Sequence, residues 1–462
     1  MEPEHLAFGG GSSTTLLHPL VAVWMLIAVV LILTLPRGKA IVPFLLAFFI
    51  TPLGQVVVLG PFHFTVLRIL ILAGLARRLS FRKSSSTGGK YPGGFNAIDW
   101  VVVLWAVSAV IVFWIEWPES QAIIKGLGDT LDILGGYLVV RSLIPDHEAI
   151  RRTIKVLAVI CAINGICMIA EKIIHINVFG LLGGIALPST VRDGHIRSAG
   201  VLGCLYAGAF SGVLIPLFLW MWTEKRSRMM AYVGLFGATA MVITSYSSTS
   251  WMAYGGSILG LCFWPLRKQM RLVRWGLVLC LTGLHLVMKA PVWALIARID
   301  LTGSSSGDQR YQLVDMTIRH FSDWWLIGFK HPGLWGWDAW DLCNQFVAVA
   351  ITGGLITLIF YVAIFSRCFS AIGKARKQVE GDRGQEWFLW CLGSVLFATV
   401  VAHFGINYMQ QLLMGLFPSL ACISVATFEA RQTVPVLEKR ENVQFAPVGR
   451  AVRGTPPIRQ TT

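Results

Sequence analysis

Residues 199–222 read AGVLGCLYAGAFSGVLIPLFLWMW, 24 consecutive positions without Asp, Glu, Lys, Arg or His. An α-helix rises about 1.5 Å per residue, so about 20 such residues cross the roughly 30 Å hydrocarbon layer of a bilayer. Working outward, comparable runs lie at 97–115, 121–140 and 153–170 before this segment. After it they lie at 229–246, 250–266, 274–289, 344–366, 387–405 and 408–428. Three more, at 20–36, 40–59 and 62–76, are broken into short pieces by Pro36, Pro43, Pro52 and Pro61. The expected fold is all-α: a polytopic transmembrane helical bundle of about 12–13 spans.

Composition agrees with this pattern. The 462 residues are 55% hydrophobic and 14% charged, well below the roughly one quarter charged in soluble chains. Their mean hydropathy is +0.65. The formal charge of +15 does not point to nucleic acid, because seven short basic runs between apolar stretches hold 29 of the 39 Lys and Arg. All seven fall on one side of a 13-span arrangement. That side is expected to be cytoplasmic by the positive-inside rule. The N-terminal segment 1–19, with Glu2 and Glu4 and no Lys or Arg, is then outside. The first apolar run lacks a basic n-region and a small-residue cleavage site, so a cleavable signal peptide is not expected. The basic tail from 429 to 462, with Pro447, Pro456 and Pro457, is expected to be cytoplasmic and disordered. Residues 20–428 form the expected membrane domain. No internal repeat is evident. Eight of nine cysteines lie in or at the ends of expected spans. No Cys or His spacing suggests a metal, and no cofactor is implied.

Ten basic residues remain outside the seven runs, and most of them sit on the expected extracytoplasmic side. Two loops there, 171–198 and 290–343, hold most of these. The first ends in VRDGHIRSAG, placing Arg192, Asp193, His195 and Arg197 at the mouth of a span. The second is the longest between spans and contains RYQLVDMTIRHFSDWWLIGFKHPGLWGWDAWDLC. Ser306 and Gln309 form an S-x-x-Q capping box for a helix to about Phe321. On it Arg310, Leu313, Val314 and Thr317 share one face, while Asp315 and Arg319 pair at i, i+4. Arg310 has no acid at i+3 or i+4, which leaves its guanidinium available to a ligand. Downstream, Trp324, Trp325, Trp335, Trp337 and Trp340 read either as an interfacial belt or as a platform for sugar rings or a lipid headgroup. Nearer the N-terminus, Asp129 and Asp132 are placed to pair with Lys125.

Two arginines on one face suit a diphosphate, because guanidinium groups bind phosphate oxygens bidentately and stay charged. Arg197 and Arg310 are the candidates. A general base would take the proton of an acceptor hydroxyl. His331 and Asp341 are the candidates for that role, with His320 also within the loop.

Three segments carry a resemblance. RSAGVLGCLYAGAF enters a span through R-x-x-G, and TSYSSTSWMAYGGSILGL is a Ser-rich hairpin between two spans. RYQLVDMTI is followed by WWLIGFKHPGLWGW and DLCNQFVAVAITGGLITLIFYV. In their order and spacing, over roughly residues 150 to 428, they resemble the O-antigen ligase and O-antigen polymerase family of bacterial inner-membrane glycosyltransferases. The resemblance implies a GT-C-like bundle with one large extracytoplasmic loop. It implies metal-independent transfer or polymerisation of a glycan from an undecaprenyl-diphosphate carrier, in lipopolysaccharide or exopolysaccharide biosynthesis. The implied partners are that donor, a glycan, lipid A-core or protein acceptor, and membrane lipids, with no nucleic acid. The family's essential arginines match Arg197 and Arg310. Arg192, His195, Asn344, Trp335 and Trp337 are the implied supporting residues. Two departures stand out: the hairpin reads SSTSW where many members carry Ser-Arg, and the exit helix begins Cys343-Asn344 where many carry His-Asn. A transporter or lipid-linked glycan flippase, with Arg68, Asp99, Asp129 and Asp132 near or inside spans, is the competing expectation. A non-catalytic envelope assembly subunit is the third.

Overall fold

The structure is a computed structural model that describes residues 14–80, 91, 93–185, 187–192, 194–298, 306–336, 341–408 and 410–444. The chain opens with α1 (Pro19–Thr34) and α2 (Ile41–Ile50). An antiparallel hairpin follows, formed by β1 (Val56–Leu59) and β2 (Phe62–Thr65), and leads into α3 (Val66–Ser80) and α4 (Ala97–Glu116). Next come α5 (Ser120–Thr130), a π-helical turn (Leu131–Gly135), α6 (Gly136–Leu143) and α7 (His147–Ile174). A second small hairpin, β3 (Thr190–Arg192) with β4 (His195–Arg197), precedes α8 (Cys204–Thr223), α9 (Arg228–Ser245), α10 (Ser248–Cys262) and α11 (Met270–Val287). The remaining helices are α12 (Ser306–Arg319), α13 (Phe321–Trp324), α14 (Gln345–Gln378), α15 (Arg383–His403) and α16 (Gln410–Gln444).

Eight of the described helical stretches are long and apolar enough to cross a membrane by length and composition. α1 and α2 are shorter apolar helices. The segment expected to span at 40–59 does not. Pro52 follows the end of α2, and the chain turns at Gly60 into the β1–β2 hairpin, because Pro cannot supply the next helical N–H. The expected span 199–222 starts later, at Cys204, since residues 198–200 are held in a turn described below. α16 runs to Gln444, past the expected boundary at 428, because propagating an existing helix adds one bond per residue. Residues 445–462 of the tail lie outside the described residues, as do 81–90 of the loop after α3.

One buried core runs through the bundle. α7 packs on α9, α8 on both α9 and α10, α10 on α15, and α14 on α4 and α16. Gly208, on α8, lies so close to Ser245 and Ser250 that a methyl group would not fit, and Gly212, one turn on, packs tightly on Ala253 and Tyr254 of α10, as in small-residue helix interfaces. Tertiary contacts define two ends. The "loop end" gathers the C-terminus of α7, the α9–α10 turn, α12 and the N-terminus of α14. The "basic end" gathers Arg77, Arg141 and the N-termini of α4 and α7.

α14 is not continuous. Gly354 sits at φ +70°, a left-handed conformation that breaks the helix. A regular helix would join Leu355 N to Ile351 O. Here the Trp325 carbonyl accepts from Leu355 N at 2.8 Å, and Phe329 N donates to Ile351 O at 2.7 Å. The segment 325–329 thus replaces the missing bond from outside. Gly328, at φ +80°, makes its close approach possible. This pins the long loop onto the bundle.

At the loop end Arg68 of α3 forms a bidentate pair with Asp132, with contacts of 2.9–3.2 Å. Lys125 pairs with Asp129 alone, at 3.0 Å, so the expected Lys125–Asp132 pair is not made. The π-turn directs Asp132 toward α3 instead. Arg68→Ala should lower stability by about 1.5–3 kcal/mol, since it strips a partly buried carboxylate of charged hydrogen bonds. Thermal unfolding in detergent checks this. Arg68→Ala/Asp132→Ala should lose less than Arg68→Ala, and a double variant at least as unstable as the single would refute the pairing.

Candidate functional site

The site is built around the turn joining α9 to α10. α9 ends at Ser245, and Tyr246 takes a left-handed conformation (φ +42°), so the chain reverses within two residues. Ser245, Thr249 and Ser250 are fully buried. The Ser245 hydroxyl donates to the Ser250 hydroxyl at 2.9 Å, and the Thr249 hydroxyl donates to the Gly405 carbonyl at 2.9 Å. These bonds lock the hairpin against itself and against the end of α15.

The position of Arg197 follows from a carboxylate that sequence reasoning did not single out. Glu171, in the last turn of α7, is 1% exposed, and its carboxylate accepts from Ala199 N at 2.7 Å and Gly200 N at 2.9 Å. Ser198 N donates to Thr244 O, and the Ser198 hydroxyl to Met168 O. The residues after Arg197 are therefore fixed on α7 and α9, and β4 delivers the guanidinium beneath the hairpin. Arg197 is 8% exposed, and its Nε donates to the Ser245 carbonyl at 3.3 Å. That carbonyl belongs to the last turn of α9, where carbonyls lack an intrahelical partner and the helix dipole favours a cation. Among the described residues no carboxylate pairs with Arg197. Glu171 had one legible signal: a lone acid in the last turn of a long apolar helix needs donors if it is buried.

Arg310 reaches the same turn from the other side. It is 5% exposed, and its Nη2 donates to Thr249 Oγ1 at 3.0 Å. The face-sharing expected on α12 is present: Leu313 and Thr317 are buried with it, and Leu313 forms a small core with Val347 and Ile351 of α14. Arg319 pairs with Asp315 at 2.7 Å, as spaced. The expectation that Arg310 stands uncommitted is corrected, because it is anchored on Thr249. The hairpin thus holds Arg197 at Ser245 and Arg310 at Thr249, one helical turn apart in sequence. Between them lies the N-terminus of α10. Its first amides have no acceptors within the helix, Ser247 caps none of them with its side chain, and its first turn holds no acid.

The other candidates are distributed unevenly. Asp341 is exposed and accepts from Gln309 Nε2 at 3.4 Å. His331 is exposed at the head of a short turn, with no side-chain hydrogen bond or ion pair among the described residues, and nothing described brings it to the arginines. Arg192 lies across the β3–β4 ladder from His195, whose ring rests on Tyr246 at 4.3 Å. Both sit at the rim. The Asn344 oxygen is committed to capping α14, accepting from Phe346 N and Val347 N. Trp335 is not an open platform: it stacks parallel to His320 and to Phe329, and its indole donates to Asp323. Desolvation opposes it, but bonds from Ser322, His320 and Trp335 hold the Asp323 carboxyl below its ordinary range. Trp337, Trp340 and Asp193 lie outside the described residues. No group of His, Cys, Asp and Glu that could hold a metal occurs among the described residues.

The fold and its eight long apolar helices define a multi-pass, all-α membrane protein with two buried arginines at one end. A scan against protein-family models and a search of curated proteins find no match to the chain.

Thr249→Val removes the hydroxyl that accepts from Arg310 and donates to Gly405. It should cost about 1–3 kcal/mol, and Thr249→Ser should restore most of that. Unfolding temperature in detergent reads the effect, and an unchanged Thr249→Val would show that Arg310 is held without this hydroxyl.

Proposed function

We propose that the chain is a metal-independent glycosyltransferase of the O-antigen ligase and polymerase type. It takes a glycan from an undecaprenyl-diphosphate carrier and passes it to an acceptor hydroxyl at the extracytoplasmic face of a bacterial inner membrane. The observation that carries the reading is the N-terminus of α10, which the Ser247 side chain does not cap, lying between the buried Arg197 and Arg310. Helix N-termini favour anions through their free amides and dipole, and guanidinium groups add charge-assisted bonds to phosphate oxygens. Arg197, buried and paired with no carboxylate among the described residues, is costly to hold unless an anion completes it.

The chemistry follows. The acceptor oxygen attacks the anomeric carbon of the donor's first sugar. The bond from that carbon to the diphosphate breaks, and its electron pair leaves with the diphosphate. Arg197, Arg310 and the α10 amides stabilise the negative charge that grows there. Asp341, which accepts from Gln309 on α12, is taken as the base that receives the acceptor proton. The β3–β4 rim, with Arg192 and His195, borders the approach to the hairpin. The reading carries with it the GT-C-like bundle of 12–13 spans and the acceptor classes named above.

The purified protein, given an undecaprenyl-diphosphate glycan and candidate acceptors with EDTA and no nucleotide, should form a transferred or longer glycan. Arg197→Ala and Arg310→Ala should each reduce the rate by about 10²–10³-fold, the loss typical of one charge-stabilising donor. Their level in the membrane should not change. Asp341→Asn should reduce the rate with donor binding intact. Wild-type yield from both arginine variants would overturn the diphosphate site. Donor binding without product across a broad acceptor set would favour a lipid-linked glycan flippase.

A further inference from the structure

At the far end of α14 from the site above, three helix ends surround one cavity. A 3₁₀ helix (Trp264–Gln269) joins α10 to α11, α14 ends at Gln378, and α15 begins at Arg383. The buried Glu386 carboxylate ties them together, since it accepts from Arg267 Nε at 3.1 Å and from Gly381 N at 2.9 Å. Lys268 pairs with Glu380 at 2.8 Å. Trp264 packs edge-on against Trp387 and Trp390, and the Arg267 guanidinium lies 4.2 Å from the Trp264 ring. Between these elements is an open cavity of about 140 Å³, lined by Lys268, Arg376, Lys377, Glu380 and Glu386.

Two of the lining cations take no part in this framework. Arg376, in the last turn of α14, is half-buried, with its guanidinium 5.7 Å from the Trp390 ring. It makes no hydrogen bond or ion pair among the described residues, and Glu386 and Glu380 act on it only from beyond ion-pair distance. Lys377, exposed beside it, makes none either. Both carboxylates of the lining already hold a cation, Glu386 with Arg267 and Glu380 with Lys268. Sorting of basic residues to one side of a membrane and the dipole of α14 account for Lys or Arg in water at this helix end. They do not account for a guanidinium drawn half out of water against an indole, at the wall of a cavity. The ring contact restrains that group, and its fork of N–H donors matches the geometry of a phosphate.

We propose that this cavity binds the phosphate group of an anionic ligand, with Arg376 and Lys377 as its contacts. A guanidinium and an ammonium on one wall give a phosphate a bidentate partner and a point charge. The two carboxylates of the lining would repel a polyphosphate, so a single phosphate is the fit. Basic pockets between membrane helices take anionic lipid headgroups, and the Trp264, Trp387 and Trp390 cluster suits the headgroup level of a leaflet. The phosphate belongs either to an anionic phospholipid of the adjacent leaflet or to a soluble phosphate. The proposal rests on nothing at the loop end.

The full-length protein is purified in detergent. Its thermal unfolding and native mass spectrum are recorded with phosphatidylglycerol, with phosphatidylcholine, and with inorganic phosphate alone. A lipid site predicts adducts and stabilisation with phosphatidylglycerol and neither with phosphatidylcholine, whose ammonium would meet Arg376 and Lys377. A soluble-phosphate site predicts stabilisation by inorganic phosphate. In either case Arg376→Gln/Lys377→Gln, which keeps both ion pairs of the framework, should raise the half-maximal ligand concentration about 30-fold, at roughly fivefold per basic residue. Arg367→Gln/Lys374→Gln removes the same charge from α14 outside the cavity lining and should leave that concentration nearly unchanged. If the first variant does not fold, Lys377→Gln alone, at an exposed position, should still weaken binding about fivefold. Equal losses in the two double variants assign the effect to a general basic surface and overturn the proposal. An undiminished response in folded Arg376→Gln/Lys377→Gln or Lys377→Gln overturns it too. So does a wild type that answers both lipids equally with no response to phosphate, or answers none of the three ligands.

Discussion

A helix that breaks at membrane depth frees backbone groups that hydrocarbon cannot satisfy, and the rest of this structure depends on how that demand is met. Gly354 breaks α14, leaving Ile351 O and Leu355 N without each other. The segment 325–329 supplies both missing partners. The consequence reaches beyond α14. The 290–343 loop becomes a part of the bundle, and α12 rides on the start of α14 through Leu313, Val347 and Ile351. Arg310 is carried to its position by that contact and reaches Thr249.

The α9–α10 turn offers opposite helix ends within a few residues, and this polarity orders the site. The carboxyl end of α9 presents a carbonyl, which takes Arg197. The amino end of α10 presents amides, which suit an anion. Arginine and anion are therefore not rivals for one surface. The cation is fixed by one helix and helps the other to hold a negative group. The hydroxyls of the Ser-rich hairpin do structural work. Ser245, Thr249 and Ser250 spend hydroxyls on one another and on Gly405, which keeps the turn rigid enough for two guanidinium groups to converge on it.

Charge is handled differently at the two ends. Outside the arginine site, the loop end neutralises its cations locally, as Arg68 with Asp132 and Arg319 with Asp315. At the basic end Arg141 meets Asp99, and Arg78 and Arg141 lie over the Tyr91 ring. Within the arginine site, Arg197 is a buried cation that no described carboxylate pairs with. Such groups persist in apolar surroundings only when something else completes them.

The all-α, membrane-spanning class was legible in the sequence because hydropathy over about 20 residues measures a bulk property of the solvent, the thickness of the bilayer. The helical face of Arg310 was legible for the same kind of reason. It follows from local periodicity, as does the pairing of Asp315 with Arg319. Residues 40–59 were misread because hydropathy does not count turns: Pro52 and the β1–β2 hairpin follow from backbone chemistry within an apolar run. The partner of Asp132 was misjudged because Arg68 lies 64 positions away in sequence and is brought near only by packing of α3 on the π-turn. Arg197 and Arg310 were nameable from the sequence and expected on one face, but the contacts that bring them to one turn were not legible. Their meeting takes Glu171 fixing one approach, the broken α14 fixing the other, and a two-residue turn between them, all contacts between parts of the chain that sequence distance keeps apart. Sequence determined that the chain is a bundle of long apolar helices and which residues carry charge. Only the tertiary structure decided which charges share one buried place, since that depends on non-local packing rather than on local pattern.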